Sequence, residues 1–288
     1  MLIAGKHGSL IDTMIFAHID ENDRTVDMIS IPRDLYYNGR KINHYVMNFG
    51  MEEFKRVLGE ITGYELDKYI LIDMYAFIDV VDIIGGIDVH LDSAVIDPTY
   101  KTLDNGVWGT LNYAPGDYHL MGKESLRLAR SRHTSSDFAR AERQHMILGA
   151  IQKKAREFGF GDAGTLYDII RTVLNKTETD ISISEAMAYY FKYQNFDINS
   201  GYVLSTGNIL SVPEYIAKEE CTKMIDEWTA SVSVEEVSVG DSGVGVPLAD
   251  SPRPDCENKL QAYTLVPADG NWDLIKWYFR KVFEEGGF

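Results

Sequence analysis

The chain has 288 residues and a formal net charge of −16, from 28 Lys and Arg against 44 Asp and Glu. A surface that acidic repels polyanions, which excludes general nucleic-acid binding unless positive charge is gathered locally. With 45% hydrophobic residues, 8 Pro and 24 Gly, the composition excludes collagen-like and mainly disordered chains. It leaves one large globular domain, or one domain with an appendage.

Met1-Leu2-Ile3-Ala4 reads as a strand already under way, so a segment preceding Met1 is an open expectation. No run of about 18 apolar residues is present to cross a bilayer, and residues 1–20 lack the ordered regions of a signal peptide. Met14 to Ile19 is mostly apolar, Val26 to Ile31 alternates, and Glu21-Asn22-Asp23-Arg24 between them reads as the turn of an antiparallel hairpin. Phe54, Val57, Leu58 and Ile61 have helical spacing over Glu52 to Ile61, with Gly63 placed as a C-terminal stop. Tyr69 to Asp73 reads as a strand, Phe77 to Ile84 as a helix ended by Gly85-Gly86, and Ile87 to Leu91 as a strand. That β-α-β succession implies a layered α/β sheet.

Asp92 to Tyr118 carries turn chemistry throughout and reads as a long loop or irregular hairpin. Helices are predicted over Gly122 to Arg132, Arg140 to Phe158, 165–175, 184–194 with Ser184 as N-cap, and Trp272 to Phe283. Val203 to Ser205 is expected to rejoin the sheet. The two cysteines, Cys221 and Cys256, fit no metal spacing. They are either unpaired buried thiols or one bridge closing a loop of 34 intervening residues, contributing about 3–4 kcal/mol on the chain-entropy model.

In an acidic chain a basic concentration is informative. Nine of the 28 cations lie between Lys123 and Arg156, among them Arg130, Arg132, Arg140 and Arg143. Arg140 shares a helix face with Arg143 or Gln144, and several forked guanidiniums aimed at one point suit a pyrophosphate. An ordinary solvated helix face explains the same pattern. Ile31-Pro32-Arg33-Asp34 after a strand, followed by Lys41-Ile42-Asn43-His44, is either a site at a strand end or a plain loop. Asp12 is a candidate magnesium ligand or a turn residue. The 7 histidines form no H-x-x-x-H pair, and neither a G-x-S-x-G elbow nor a Walker lysine loop is present, which removes the main support for serine-hydrolase and P-loop readings.

These islands occur in one order together with Asp12-Thr13-Met14, Gly85-Gly86-Ile87-Asp88-Val89, Pro115-Gly116, His119-Leu120, Gly122, Ala129-Arg130-Ser131-Arg132-His133, Asp137-Phe138 and Arg140-Ala141-Glu142-Arg143-Gln144. Over about residues 2–210 the chain thereby resembles the LytR-CpsA-Psr family. The resemblance implies a mixed α/β fold, a central mixed β-sheet flanked by helices on both sides. Residues 1–210 would form the catalytic domain, leaving residues 211–288 as a C-terminal appendage without an assignable motif, in which 229–258, rich in Ser, Val, Gly, Asp and Pro and without a helical period, reads as a mobile acidic loop or hairpin.

The resemblance further implies a phosphotransferase of the bacterial envelope. It would move a glycopolymer from a polyprenyl-pyrophosphate carrier to peptidoglycan at the extracellular face of the membrane, anchored by a helix preceding Met1. Arg33, Arg130, Arg132, Arg140 and Gln144 would hold the pyrophosphate and Asp12 would bind Mg2+, with Lys41, Asp34 and Arg143 as supporting substrate-binding residues. An apolar slot for the prenyl tail is expected near Phe77, Val80, Val81 and Ile84. One departure stands out: where the family commonly has an aspartate after the first strand, this chain has Gly5-Lys6-His7-Gly8-Ser9. Lys6 is expected to face the pocket and supply part of the metal's charge. A non-catalytic module binding polyprenyl phosphate or glycan and a pyrophosphate hydrolase are the competing readings.

Overall fold

Alternation along the first strands gives a sheet with two apolar faces. The computed structural model describes residues 1–104, 106–131, 137–159, 162–214, 218–233 and 263–288. In chain order its strands are β1 Leu2–His7, β2 Leu10–Asp20, β3 Thr25–Ser30, β4 Tyr36–Tyr37, β5 Arg40–Lys41, β6 Tyr69–Asp73, β7 Ile87–Leu91, β8 Val95–Asp104, β9 Val107–Tyr113, β10 Gly116–Leu120, β11 Glu178–Thr179, β12 Asp197–Val203, β13 Leu210–Ser211 and β14 Val266–Pro267. The helices are α1 Tyr45–Thr62, α2 Met74–Ile83, α3 Gly122–Arg130, α4 Asp137–Ala155, α5 Ala163–Lys176, α6 Ile183–Tyr193, α7 Lys218–Ser233 and α8 Asp273–Glu285.

The main sheet has the order β11-β6-β1-β2-β3-β12. Its centre is antiparallel, while β6 runs parallel to β1 and β12 parallel to β3, so the sheet is mixed as expected. Turn chemistry sets the central hairpin: the Asp20 carboxylate accepts from the Asn22 and Asp23 N–H groups at 2.7 and 3.0 Å, and Arg24 takes a left-handed φ of 57°. Helix α1 kinks at Gly50 and stops at Gly63, whose φ of 81° lets its N–H reach the Gly59 carbonyl.

Met14 and Phe16 point to one face of the sheet, onto α1 and α8, where Phe54, Leu58, Ile275 and Phe279 close a core that excludes water. Ile15 and Ala17 point to the other, toward Leu148 of α4. Helices α2 and α3 approach closely there: the Gly122 N–H donates to Asp82 Oδ1 at 2.8 Å, and a Cβ at Gly122 would overlap the Ile78 backbone.

The structure refines several expectations. Residues 92–118 form the β8–β9 hairpin and β10, which pairs with β7. This is the irregular hairpin of the two sequence alternatives, its irregularity lying at Pro98 and in a register shift between Asp97 and Lys101. The N-cap of α6 is Ser182, which forms a capping box with Glu185, rather than Ser184. Residues 229–233 belong to α7, and 234–258 lie outside the described residues. Beyond residue 210, Leu265, Ile275, Phe279 and Phe283 share one core with Leu2 and Phe54. Cys221 is buried and disulfide-bonded, while the second cysteine, Cys256, lies outside the described residues.

Candidate active site

Strand β2 places Asp12 and Thr13, and the turn after β3 places Arg33. Arg33 Nη1 donates to Asp12 Oδ1 at 2.5 Å, and its Nε stands 3.4 Å from Asp34 Oδ2. Lys41 on β5 donates to Asp34 Oδ1 at 2.6 Å. Burial works against the charge on Arg33, but the hydrogen bonds and charges of Asp12 and Asp34 outweigh it and raise its pKa above the ordinary value. The result is a fixed guanidinium at the ends of the interior strands β2 and β3.

Three cavities meet around Asp12, Thr13 and Gln144. The first, about 410 Å³, is lined by Arg33, Arg130 and Arg140 together with His7 and Tyr100. The second, about 140 Å³, is an apolar slot between β1–β2 and α2–α4, with Ile3, Gly5, Phe77, Ala129 and Ile147 in its walls. The third, about 590 Å³, leads from Arg33 and Arg140 past Ser30 to residues 203–208, Tyr263 and Leu265. The arginine cavity bridges the other two: it shares Arg33 and Arg140 with the large one, and Arg130 and His7 with the slot.

The structure thus brings Arg33, Arg130, Arg140, Gln144 and Asp12 together, as the sequence predicts; Arg132 lies outside the described residues. Gln144 Nε2 donates to Thr13 Oγ1 at 3.1 Å, which ties α4 to β2 at the junction, and Arg130 Nη1 rests on the Met74 sulfur at 2.7 Å.

Four supporting residues differ from expectation. Arg143 is buried away from the cavities and donates to the Leu128 and Ser131 carbonyls at 3.2 and 2.6 Å. It holds the end of α3 that carries Arg130, and burial lowers its pKa against the opposing charges of Glu142 and Asp97. Asp34 and Lys41 line no described cavity and act on Arg33 from behind. Lys6 lies in the wall of the slot rather than in the arginine cavity, ion-paired with Glu178 on the sheet's edge strand. Among the residues predicted for the slot, Phe77 lines it, whereas Val81 and Ile84 are packed in the core beside Ile87 and Leu128.

Sequence reasoning missed His7, Thr13, Ser30, the 203–208 loop and Tyr263. The Asp12-Thr13-Met14 motif and the Lys6-His7 break in the family pattern offered the signals for Thr13 and His7. It also missed His145, buried on α4 with its Nε2 2.8 Å from Ser30 Oγ.

The donor set decides whether magnesium fits here. Among the described residues no three His, Cys, Asp or Glu side chains converge, and the Asp12 carboxylate is already engaged by Arg33. Asp97, the other carboxylate lining the arginine cavity, accepts from the Thr99 and Tyr100 N–H groups, each at 3.1 Å, so both carboxylates are already engaged, which does not fit an ion that holds its place through carboxylates plus substrate phosphates.

With this geometry in view, the comparisons with known proteins are decisive for family. The LytR_cpsA_psr family model matches residues 4–218. The chain belongs to that family. Among curated relatives of this LytR_cpsA_psr protein, polyisoprenyl-teichoic acid–peptidoglycan teichoic acid transferase TagV of Bacillus subtilis (strain 168) is 28% identical over 200 residues, which is 64% of this chain and 48% of TagV. TagU of Bacillus cereus (strain ATCC 14579) is 26% identical over 205 residues, 68% of this chain and 63% of TagU. The chain therefore matches about half to just under two thirds of these relatives' length. The crystal structure of B. subtilis TagV superposes with a TM-score of 0.66 at 21% identity, covering 98% of this chain and 96% of that one. A structure of TagT bound to LI-WTA gives 0.56 at 20% identity, covering 74% and 80%. At such identities the structural likeness shows the fold.

Proposed function

We propose that this LytR_cpsA_psr protein is a phosphotransferase that moves a glycopolymer from a polyprenyl-pyrophosphate carrier onto peptidoglycan, as the names of its TagU and TagV relatives suggest. The observation that carries the reading is the bridging arginine cavity, which opens on one side into an apolar slot and on the other into a roomy polar cavity. A prenyl tail in the slot sets its pyrophosphate among Arg33, Arg130 and Arg140, and leaves the glycan on the far side.

The chemistry then follows. An acceptor hydroxyl oxygen attacks the phosphorus that bears the glycan, and the bond from that phosphorus to the bridging oxygen breaks. Polyprenyl phosphate departs with the electron pair and takes up the hydroxyl proton, and a phosphodiester joins glycan to acceptor. Fixed guanidiniums, which need no reorganisation, stabilise the charge spread over the phosphoryl oxygens. Gln144 and Thr13 orient the junction.

The site of action follows from the substrate: the carrier lies in a membrane and peptidoglycan outside it, so the reading places this protein at the extracellular face, held by a helix preceding Met1. No helix among the described residues is long and apolar enough to cross a membrane. The test is incubation with a lipid-pyrophosphate glycan, with and without a peptidoglycan acceptor and magnesium, and identification of products by mass. Acceptor-dependent phosphodiester is the expected product. Glycan phosphate released without acceptor indicates a hydrolase, and bound but unchanged substrate a binding module; either overturns the reading.

A further inference from the structure

The β8–β9 hairpin is anchored at one end and bare at the other. At its base Val95 and Leu111 are buried in the core beside Ile87 and Leu128, and Tyr100 packs against the same cluster. At its tip the cross-strand partners Leu103 and Trp108 are 43% and 71% exposed, and Val107 is 70% exposed. The two strands pair only with each other among the described residues. A contiguous exposed group of this kind adds nothing to the core and marks a contact with something outside the chain.

Charge narrows what that something is. Lys101 precedes Leu103 by two residues and lies opposite Thr110, so it shares a face with Leu103 and Trp108. From α3, Lys123 Nζ donates to the Leu103 carbonyl at 3.1 Å, which sets a second ammonium beside the tip. The sequence 101–108 carries one acid, Asp104, against Lys101 and the adjoining Lys123, a local cationic excess in a chain of net charge −16. An indole among aliphatic groups, flanked by ammoniums, fits the interface of an anionic bilayer: the ring has an apolar body and a polar N–H, and lysine stems let their charges reach lipid phosphates.

Position supports the same partner. Strand β8 also carries Asp97, Thr99 and Tyr100, which line the arginine cavity. From Tyr100 to Leu103 the strand advances about 10 Å, at roughly 3.3 Å per residue. Interfacial side chains sink roughly 5–10 Å into the boundary between headgroups and acyl chains. A docked tip therefore leaves the arginine cavity level with the lipid headgroups, which is where the pyrophosphate of a membrane-held carrier lies.

We propose that Leu103, Val107 and Trp108, with Lys101 and Lys123, dock this protein on an anionic lipid surface and fix the height of the arginine cavity above it. The proposal rests on the transfer reading for the carrier that makes this height useful.

The test is co-sedimentation of the 288-residue protein at low ionic strength with vesicles of phosphatidylglycerol and phosphatidylcholine, or of phosphatidylcholine alone. The parent protein is expected to partition onto the anionic vesicles, and Trp108→Ser to weaken that partition about tenfold. Lys101→Gln should weaken it about fivefold on anionic vesicles only, an effect that added salt removes. Lipids brominated in their chains should quench tryptophan fluorescence in the parent and not in Trp108→Phe, and unchanged thermal midpoints show that the variants fold. Equal partition of Trp108→Ser and the parent, or no partition of the parent, overturns the docking tip. A parent dimer that Trp108→Ser dissociates in sedimentation velocity gives the tip to a second copy and overturns it as well. Farnesyl diphosphate calorimetry keeps the two readings apart. A parent that partitions but does not bind farnesyl diphosphate upholds the docking tip and sinks the transfer reading; one that binds it but does not partition does the reverse.

Discussion

The two faces of the main sheet differ in what their alternating side chains leave behind. On the α1–α8 face large residues interlock: Phe16 meets Phe279 edge-on at 5.3 Å and Phe283 at 5.6 Å between ring centroids, and Phe54 and Phe279 are fully buried. On the α2–α4 face the positions near the strand ends are small, Gly5 and Thr13 on the sheet and Ala129 on α3, and the slot of about 140 Å³ remains between them. The same period-2 pattern thus makes a solid core on one side and a lined cavity on the other, and residue size alone decides which.

The contrast breaks most visibly on the filled side. Phe279→Ala should cost about 3–5 kcal/mol of stability in denaturant titrations, as expected for a ring removed from a packed core. A loss below about 1 kcal/mol would mean that this face is not close-packed. On the other face the expected cost is functional. Arg33→Ala should lower transfer turnover by about 10²–10³-fold, in the range for removing one preorganised donor to developing charge. Because both members of the Arg33–Asp12 pair are about 30% exposed, stability should change little by comparison.

Next in size is a pH effect on the α4 face, where His145 packs against Ser30 of β3. His145 titrates near 4 when folded against an ordinary 6.5, because burial disfavours its charge. Above pH 6.5 the ring is neutral folded or unfolded and adds no pH dependence. Between 6.5 and about 4 the unfolded chain binds the proton and the folded one does not, so stability falls with falling pH by about 3 kcal/mol in total. Denaturant midpoints across that range should show the fall in the parent protein, and His145→Gln should flatten it. A smaller effect sharpens the comparison itself: Ala129→Leu fills part of the slot and should weaken farnesyl diphosphate about tenfold while inorganic pyrophosphate binds as before. Equal losses for both ligands would dissociate the slot from the tail.

Much of this was legible beforehand, for reasons that differ by residue. The hairpin around Glu21–Arg24 and the helix stop at Gly63 depend on local chemistry, which one sequence displays in full. Spacing also put Arg140 on a face with either Arg143 or Gln144, but could not choose between them. Packing chose: the end of α3 takes Arg143 through its carbonyls, and Gln144 turns to Thr13 on β2. Such choices are tertiary, as is the path of residues 263–265 between the Arg33 turn and β13, which no periodicity announces.

Lys6 carries the smallest expected effect and the sharpest revision. Read from sequence, its ammonium would face the phosphates and its loss would cost roughly 1.5–3 kcal/mol of pyrophosphate binding, the range for a charged hydrogen bond. In the structure it lies in the slot wall and pairs with Glu178, the two side chains being 26% and 60% exposed. A pair that open contributes only about 0–1 kcal/mol, and its positive charge is already compensated. Lys6→Ala should therefore change both stability and pyrophosphate affinity by less than about threefold at 0.15 M salt. Glu178→Gln leaves the ammonium uncompensated and should tighten pyrophosphate slightly, more so at low ionic strength where screening is weaker. Lys6→Asp would set a new carboxylate against Glu178 instead of beside a free Asp12, so calorimetry should detect no new magnesium site. A tenfold loss of pyrophosphate affinity in Lys6→Ala would mean that the ammonium leaves Glu178 for the phosphates once they bind, and that the missing family aspartate has been replaced by a charge that moves.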